Sequence, residues 1–326
     1  MVAIEISGFG PPEVLKPVER PKPEPKPGEI VIRVEAAGVA RADLLQRQGK
    51  YPPPPGASDI PGLDVAGTVD ATGPNVREWK SGDRVCAILA GGGYAEFCAV
   101  PAVQVLPIPE SWTAAEAATL PENLFTVYDN LATRAALQNG ETALIHGGTS
   151  GIGTIAIMLT RARSAVPIAT AGTQVKCDAC LRFGAQHAIN YKQTDFVAEI
   201  NRITNGRGAD VILDMVGGPY LEKDLEALAV DGRVVFIATQ GGRTGQLDLH
   251  KLMSKRARVL GSTMRSRTPA EKGAVARRLR EDIWPLLPAK NPIWPLIDTT
   301  FPLREARLAH ERMEGGEHIG KIVLTV

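Results

Sequence analysis

Hydrophobic and polar positions change rhythm near residue 121. Before that point, apolar residues alternate in short runs at 29–37, 63–72, 83–89 and 94–100, separated by Gly, Pro and Asp. Alternation with a period of two marks strands with one buried face, and strands so closely spaced predict a small β-rich barrel or sandwich. After it, β-branched runs at 143–146, 166–170, 188–191, 210–216, 233–238 and 258–263 alternate with helical segments at 151–162, 174–183, 195–205 and 220–228. Strands buried on both faces and joined by helical crossovers specify a parallel, doubly wound sheet. The tail changes again. Residues 269–285 read as helix, Pro292 and Pro295 break the chain, and 320–326 (GKIVLTV) read as a strand returning to the first domain. The fold class is therefore α/β, a β-rich domain plus a doubly wound parallel sheet. The predicted domains are 1–121 with 264–326, and 122–263. The PKPEPKP run at 21–27 predicts a stiff surface connector.

Composition narrows the class. Of 326 residues, 44% are apolar and 22% charged, as in soluble globular chains, and a net charge of +1 predicts no polyanion partner. No basic segment precedes an apolar stretch at the start, and the most apolar long run, 142–159, is broken by His146 and four glycines. Four cysteines do not make a secreted disulfide framework. A cytoplasmic protein that does not enter a membrane is expected. The unusual quantity is 33 Gly and 25 Pro against 5% aromatics. It predicts a site floored by backbone and aliphatic groups.

The central motif is Ala143-Leu-Ile-His-Gly-Gly-Thr-Ser-Gly-Ile-Gly-Thr154, an apolar strand entering spaced glycines (148, 151, 153) and then an apolar helix. The first glycine is expected to make the turn, the second to admit a pyrophosphate, and the third to pack helix against strand. The helix N-terminus then offers free N–H groups to the anion. A turn before an ordinary core helix is the bland alternative; the strand before, the helix after and five more strands disfavour it. The second strand decides which dinucleotide. NAD sites place an Asp or Glu about 20 residues after the loop, yet 154–177 contain no acid. Gly172, Thr173 and Lys176 instead offer close backbone, a hydroxyl and a cation to a 2′-phosphate. NADPH is predicted over NADH.

Several stretches are specific together: residues 41–58 (RADLLQRQGKYPPPPGAS), the glycine loop, Thr170-Ala-Gly-Thr-Gln174, Ile212-Leu-Asp-Met-Val-Gly-Gly218, Met264-Arg-Ser-Arg267 and Ile319-Gly-Lys-Ile-Val-Leu324. On these the chain resembles, nearly end to end, the zinc-free quinone oxidoreductases (zeta-crystallin type) of the medium-chain dehydrogenase/reductase superfamily, closest to the tumour-suppressor-inducible branch. The resemblance implies a GroES-like catalytic domain, a Rossmann domain, an active-site cleft between them, a homodimer, and hydride transfer from NADPH to quinones or related conjugated carbonyls. It places the pyrophosphate at Ser150, Gly151, Ile152 and Gly153, the 2′-phosphate at Gly172, Thr173 and Lys176, and the adenosine end under Tyr191. Thr126, Val216, Thr263, Met264, Arg265 and His318 would line the nicotinamide side, and Tyr51 would face the substrate as the catalytic residue. Relatives carry Asn where this chain has Ala40 and His318, removing an amide contact near the nicotinamide.

Other chemistries weigh less. Zinc members carry Gly-His-Glu where this chain reads Gly62-Leu-Asp64, and leucine cannot ligate a metal; the five histidines are scattered, so no metal is expected. Gly148-Thr-Ser-Gly-Ile152 lacks the final glycine of a nucleophile elbow. Cys177-Asp-Ala-Cys180 is a C-x-x-C within a predicted helix and lacks a second pair, so coincidence is favoured over a redox dithiol; Cys86 and Cys98 read as core. Without the resemblance, Tyr51 reads equally well as an exposed aromatic before a Pro-rich turn. Residues 251–282 hold ten basic and three acidic residues. An RNA-binding role is thereby raised, but a solvated helix face is favoured because no aromatic is present for base stacking before the segment's end. An enone or enal reductase needs the same hydride donor and remains open. The β-branched run 233–238 is the expected dimer strand.

Overall fold

The computed structural model describes residues 1–289 and 293–326, so Pro292 lies outside the described residues. Two units emerge, Met1–Phe125 with Met264–Val326, and Thr126–Thr263. In the first, β1 (Val2–Ile6) and β2 (Leu15–Glu19) form an antiparallel ribbon. A larger sheet then begins with β3 (Glu29–Val39), β4 (Asp64–Thr72), β5 (Arg84–Ile88), β6 (Phe97–Pro101) and β7 (Val105–Pro107), all paired antiparallel. In β3, Ile30, Ile32 and Val34 are buried while Arg33 and Glu35 are exposed, the alternation of a sheet with one dry face. The proline run 21–27 contains no helix or strand. Three helices of this stretch were not foreseen: α1 (Arg41–Arg47), α2 (Ala114–Ala117) and α3 (Pro121–Val127), the last continuing as a π-helical segment at Tyr128–Arg134. α1 hides from periodicity because its inward face is polar, with Asp43, Gln46 and Arg47 buried beside Leu44.

The second unit is β8 (Thr142–Ile145), α4 (Gly151–Ala162), β9 (Val166–Ala171), α5 (Gln174–Arg182), β10 (His187–Asn190), α6 (Phe196–Ile203), β11 (Ala209–Asp214), α7 (Leu221–Ala227), β12 (Leu228–Phe236), α8 (Leu249–Ser254) and β13 (Arg258–Gly261). The six strands are parallel in the order β10-β9-β8-β11-β12-β13. From β8 the chain winds first to one side, through β9 and β10, and then returns to the other through β11. A crevice therefore opens above the carboxyl ends of β8 and β11, where ligands of such sheets bind. Leu144, Ile168, Ile212 and Val234 form the core with Phe196, Ile200 and Leu225 from the helices.

One expectation is corrected here. The run 233–238 is no exposed strand: β12 is paired on both sides, and Val234 and Val235 are fully buried. The sheet instead ends at β13, whose Val259 is 39% exposed. The β-branched pattern reported burial on both faces, which an edge strand does not need.

The tail carries α9 (Pro269–Asp282), β14 (Ile297–Pro302), α10 (Ala306–Glu314) and β15 (Lys321–Thr325). β15 pairs antiparallel with β3 and parallel with β14, so the terminal strand completes the first unit's sheet. The helix predicted to 285 ends at Asp282, and Trp284–Ala289, with Pro285 and Pro288, tightens into a 3-10 segment.

Candidate functional site

In the second unit the predicted residues gather along the carboxyl edge of the parallel sheet. β8 leads into the glycine loop, and its geometry reassigns the turn. Gly147, not Gly148, takes the left-handed conformation, with φ +68°. A Cβ on Gly148 would lie 2.7 Å from both Ala169 Cβ and Cys180 Sγ, so Gly148 lets the loop pack against β9 and α5. On Gly153 a Cβ would lie 2.2 Å from the Gly147 carbonyl oxygen, which fixes helix close to loop as the motif requires. Ser150 caps α4, its Oγ accepting from Gly153 N–H at 2.9 Å and donating to Gly147 O at 2.8 Å. The N–H groups of Gly151 and Ile152 open the helix and have no intrahelical acceptor, an arrangement suited to a phosphate diester.

Beside it, β9 ends at Gly172 and Thr173, and Thr173 caps α5 by accepting from Lys176 N–H at 3.3 Å. Tyr191 follows β10, 43% exposed, its N–H held by Ala171 O at 3.1 Å. A Cβ at Gly172 would lie 2.8 Å from the Tyr191 hydroxyl. A larger residue there would have to displace the Tyr191 ring. Gly172, Thr173, Lys176 and Tyr191 are thus neighbours, with no acidic side chain among them. Val216 follows β11, its N–H and that of Gly217 held by Asp214 Oδ1, the latter at 3.0 Å. Thr263 follows β13, and Thr126, nearly buried, accepts at its carbonyl from Asn130 Nδ2 at 2.8 Å. The residues fit a dinucleotide because the backbone is bared where phosphates need it and the second strand ends without an acid.

Cys177 and Cys180 belong to this packing. Both are buried thiols, Cys180 lying beneath Gly148, and burial pushes its pKa up to about 12. Cys180 fills space under the loop, and burial disfavours the thiolate form of both residues.

The first unit gathers Tyr51 and Arg265. The Arg265 guanidinium lies 5.3 Å from the Tyr51 ring centre, and donates to Tyr51 O at 3.1 Å, Ala90 O at 2.9 Å and Gln46 Oε1 at 2.5 Å. Its three nitrogens are therefore committed to the protein, and its own carbonyl accepts from buried Lys272 Nζ at 3.0 Å. Arg265 is the clamp that holds Tyr51, a role the sequence did not disclose. Burial raises the Tyr51 phenol above its ordinary pKa, against the opposing pull of Arg265, so the hydroxyl stays protonated as a donor. Met264 is buried next to the clamp. His318 stands apart from this pair, close enough to Asp298 to lower its carboxyl further after burial and the Arg312 bonds are counted.

A second buried cluster also escaped the sequence reading. Lys321 Nζ contacts Asp64 Oδ2 at 2.6 Å and Glu122 Oε2 at 3.5 Å. Burial raises the Asp64 carboxyl against the opposing pull of Lys321, and Glu122 up to about 7, while the two acids keep Lys321 charged against its own burial. Next to Asp64, Leu63 is buried at 3% exposure. This stretch offers a zinc ion no donor set: one position is aliphatic and the other is held by an ammonium. Ala40 is buried with its N–H donating to Asp43 Oδ2 at 2.8 Å, and Asp43 Oδ1 accepts from Gly62 N–H at 3.0 Å. The basic stretch 251–282 is largely engaged internally: Lys251 with Glu226 at 2.7 Å, Arg256 with Asp231 at 2.6 Å, Lys255 on Leu228 O at 2.5 Å, and Arg280 on Val105 O at 2.9 Å. Such a surface disfavours RNA.

Sequence comparisons agree with this architecture. The signature described as "Alcohol dehydrogenase GroES-like domain" matches residues 26–110, and that described as "Zinc-binding dehydrogenase" matches 151–280. Human quinone oxidoreductase is 31% identical over 330 residues, covering 99% of this chain and 97% of its own. A mycobacterial structure complexed with NADPH superposes with a TM-score of 0.88 at 29% identity, over 100% of both chains. Escherichia coli quinone oxidoreductase complexed with NADPH gives 0.86 at 29%, again over 100% of both. The two units are accordingly a GroES-like fold and a Rossmann-type sheet.

Proposed function

This chain belongs to the quinone oxidoreductase-like, zeta-crystallin-type family of the medium-chain dehydrogenase/reductase superfamily, and from that premise we propose that it transfers hydride from NADPH to quinones without zinc. The observation that carries the reading is the acid-free end of β9, where Gly172, Thr173 and Lys176 adjoin Tyr191 and the Ser150–Gly153 loop. The second unit, 122–263 as read from the sequence, binds the dinucleotide, and the first supplies the substrate wall with Tyr51. Bound NADPH supplies the hydride. The helix N-terminus of α4 holds the pyrophosphate, and the Lys176 ammonium and Thr173 hydroxyl hold the 2′-phosphate by charge-assisted bonds worth about 1.5–3 kcal/mol. Within the second unit Val216, Thr263 and Thr126 take the nicotinamide side; Met264 and His318 of the first unit are assigned to the cofactor from the family resemblance.

No Lewis acid is required. A quinone accepts hydride readily, Tyr51 donates a hydrogen bond to the oxygen on which negative charge grows, and water delivers the proton that completes the hydroquinone. Leu63, where zinc members carry their histidine, is consistent with that chemistry. The motifs at 41–58 and 264–267 support placement in the tumour-suppressor-inducible branch. A cytoplasmic homodimer completes the proposal, and the free edge at β13, with Leu249 and Met253 exposed nearby in sequence, is its contact strand.

The test is NADPH and NADH oxidation against a panel of ortho-quinones, para-quinones and enones. A kcat/KM for NADPH at least about tenfold above that for NADH is expected, equivalent to about 1.4 kcal/mol, and Lys176→Ala should abolish the preference. Equal use of both cofactors would remove the 2′-phosphate assignment. Turnover of enones but not quinones would move the substrate to the alkene-reductase class.

A further inference from the structure

Beneath the crevice of the second unit lies a polar chain that the proposed reaction does not use. His146, the last residue before Gly147, is fully buried, as are Asp214 at the end of β11 and Asp224 on α7. His146 Nε2 is 2.9 Å from Asp224 Oδ1, and its Nδ1 is 3.1 Å from Thr170 Oγ1. Thr170 Oγ1 also accepts from Gly147 N–H at 3.4 Å. Asp214 Oδ1 takes the N–H groups of Val216 and Gly217, while the remaining oxygen of each carboxyl, Asp214 Oδ2 and Asp224 Oδ2, is buried without a donor.

Directions follow from valence. Neither Asp214 Oδ2 nor Asp224 Oδ2 receives a hydrogen from any other described group. The two carboxyls act on each other, and two such buried oxygens are satisfied together when one carries a proton that the other accepts. Thr170, accepting from Gly147, donates to Nδ1, and His146 Nε2–H donates to Asp224. The chain thus runs unbroken from the hinge of the phosphate loop to the turn after β11. Met215 joins the same two loops, receiving the Ser150 hydroxyl at 3.8 Å.

We propose that His146, Asp224 and Asp214 form a proton-sharing positioning device that locks Gly147 to the Val216–Gly217 turn, so that affinity for NADPH follows the presence of the shared proton. The proposal rests on reading this edge as the NADPH site. Losing the proton puts a second negative charge under the loop that holds a pyrophosphate, and sets two unscreened carboxylates against each other. Burial supports the protonated state, pushing both Asp214 and Asp224 up to about 7, the former further raised by the latter; it pushes His146 down to about 4, so the imidazole stays neutral. The surrounding titratable groups are Tyr220, whose ring lies 4.9 Å from that of His146, then Asp195, paired with Lys223 at 2.7 Å, and Tyr191. Phe196 covers the imidazole's remaining side, at 4.9 Å. None of them supplies a cation to the carboxyl pair.

Asp224→Asn isolates the proton. Its amide can donate to Asp214 and accept from His146, so Asp214 can ionise against a donor instead of a facing carboxyl. In the folded wild type the pair retains a proton that unfolded carboxyls release near their ordinary value of about 4. The associated stability is full below that value and lost as pH rises to about 7. The melting temperature of Asp224→Asn, minus that of wild type, should therefore rise by at least about 2 °C between pH 5 and pH 8 in the unliganded protein. NADPH titration by fluorescence should show the wild-type Kd rising about fivefold or more between pH 6 and pH 8.5, beyond any change in the variant. Titration of the cofactor's own phosphate is common to both proteins and cancels. Asp224→Leu, which strands His146 and Asp214, should bind poorly at every pH, and Asp224→Asn should restore binding. A temperature difference that stays flat with pH overturns the shared proton. A rising temperature difference with identical Kd profiles overturns the link to the site. Absence of NADPH binding by the wild type at any pH would instead strike the function proposed above, leaving the melting experiment to judge the proton.

Discussion

The two units place their functional groups by opposite means. In the Rossmann-type unit the candidate site is made of main chain: N–H groups at the head of α4, bare backbone at Gly148, Gly153 and Gly172, and caps from Ser150 and Thr173. In the GroES-like unit it is made of long polar side chains reaching across the fold, Arg265 to Tyr51, Ala90 and Gln46, and Lys321 to Asp64 and Glu122. Their buried charges differ as well. Asp64 is kept by a buried ammonium, whereas among the described residues no lysine or arginine pairs with Asp214 or Asp224, and each leaves one buried oxygen without a donor. A main-chain site is defended by shape and fails by overpacking. A side-chain site is defended by pairing and fails when one partner goes.

That contrast breaks hardest at Lys321. Lys321→Met leaves Asp64, fully buried, without its counter-ion. Removing one member of a buried pair costs about 3–5 kcal/mol, so denaturant unfolding of the first unit should show a loss of that size. Changing both residues, Lys321→Met with Asp64→Leu, should regain part of it, because Asp64 is then no longer stranded while Glu122 still lacks the ammonium. If the single variant were as stable as wild type, the cluster would not be what holds β15 to this unit.

The matching test in the other unit is Gly153→Ala. In an exposed helix interior the change from glycine gains up to about 1 kcal/mol. Here the new Cβ would meet the Gly147 carbonyl at 2.2 Å, and a backbone atom cannot swing aside. A loss of about 1–3 kcal/mol is expected from overpacking, with weakened NADPH binding as α4 is pushed from its loop. A variant that melts higher than wild type and binds normally would show that the loop has room.

The same contrast explains what could be read from the chain. Main-chain sites are local: the glycines at 148, 151 and 153 stand within a few residues of the strand and helix they join, and the missing acid of β9 is visible in one short segment. Even so, the spacing misassigned the turn, since Gly147 takes the left-handed φ while Gly148 makes room for Cys180. Side-chain sites are not local. Arg265 meets Tyr51 across 214 positions, and no periodicity encodes such a meeting. The polar inward face of α1 hid a helix for the same reason, and β12 looked like a free edge because hydrophobicity reports burial without naming neighbours.

Tyr51 gives the smallest effect and the sharpest separation of the two units. Its ring is held by the Arg265 clamp and its carbonyl takes one of the clamp's bonds, both of which survive Tyr51→Phe. The substitution therefore removes only the hydroxyl, and the fold and the NADPH site should not register it. If that hydroxyl donates to the quinone oxygen as charge develops, kcat should fall by about tenfold, the equivalent of one hydrogen bond of about 1.4 kcal/mol made in the transition state. The raised pKa of the phenol adds a condition: the donor persists through the neutral range, so the ratio of wild-type to variant kcat should be level between pH 6 and pH 9. Unchanged kcat would take Tyr51 out of the reaction and leave it as the clamp's packing partner. A fall in kcat accompanied by a weaker NADPH Kd would mean that the two units do not divide the work as proposed.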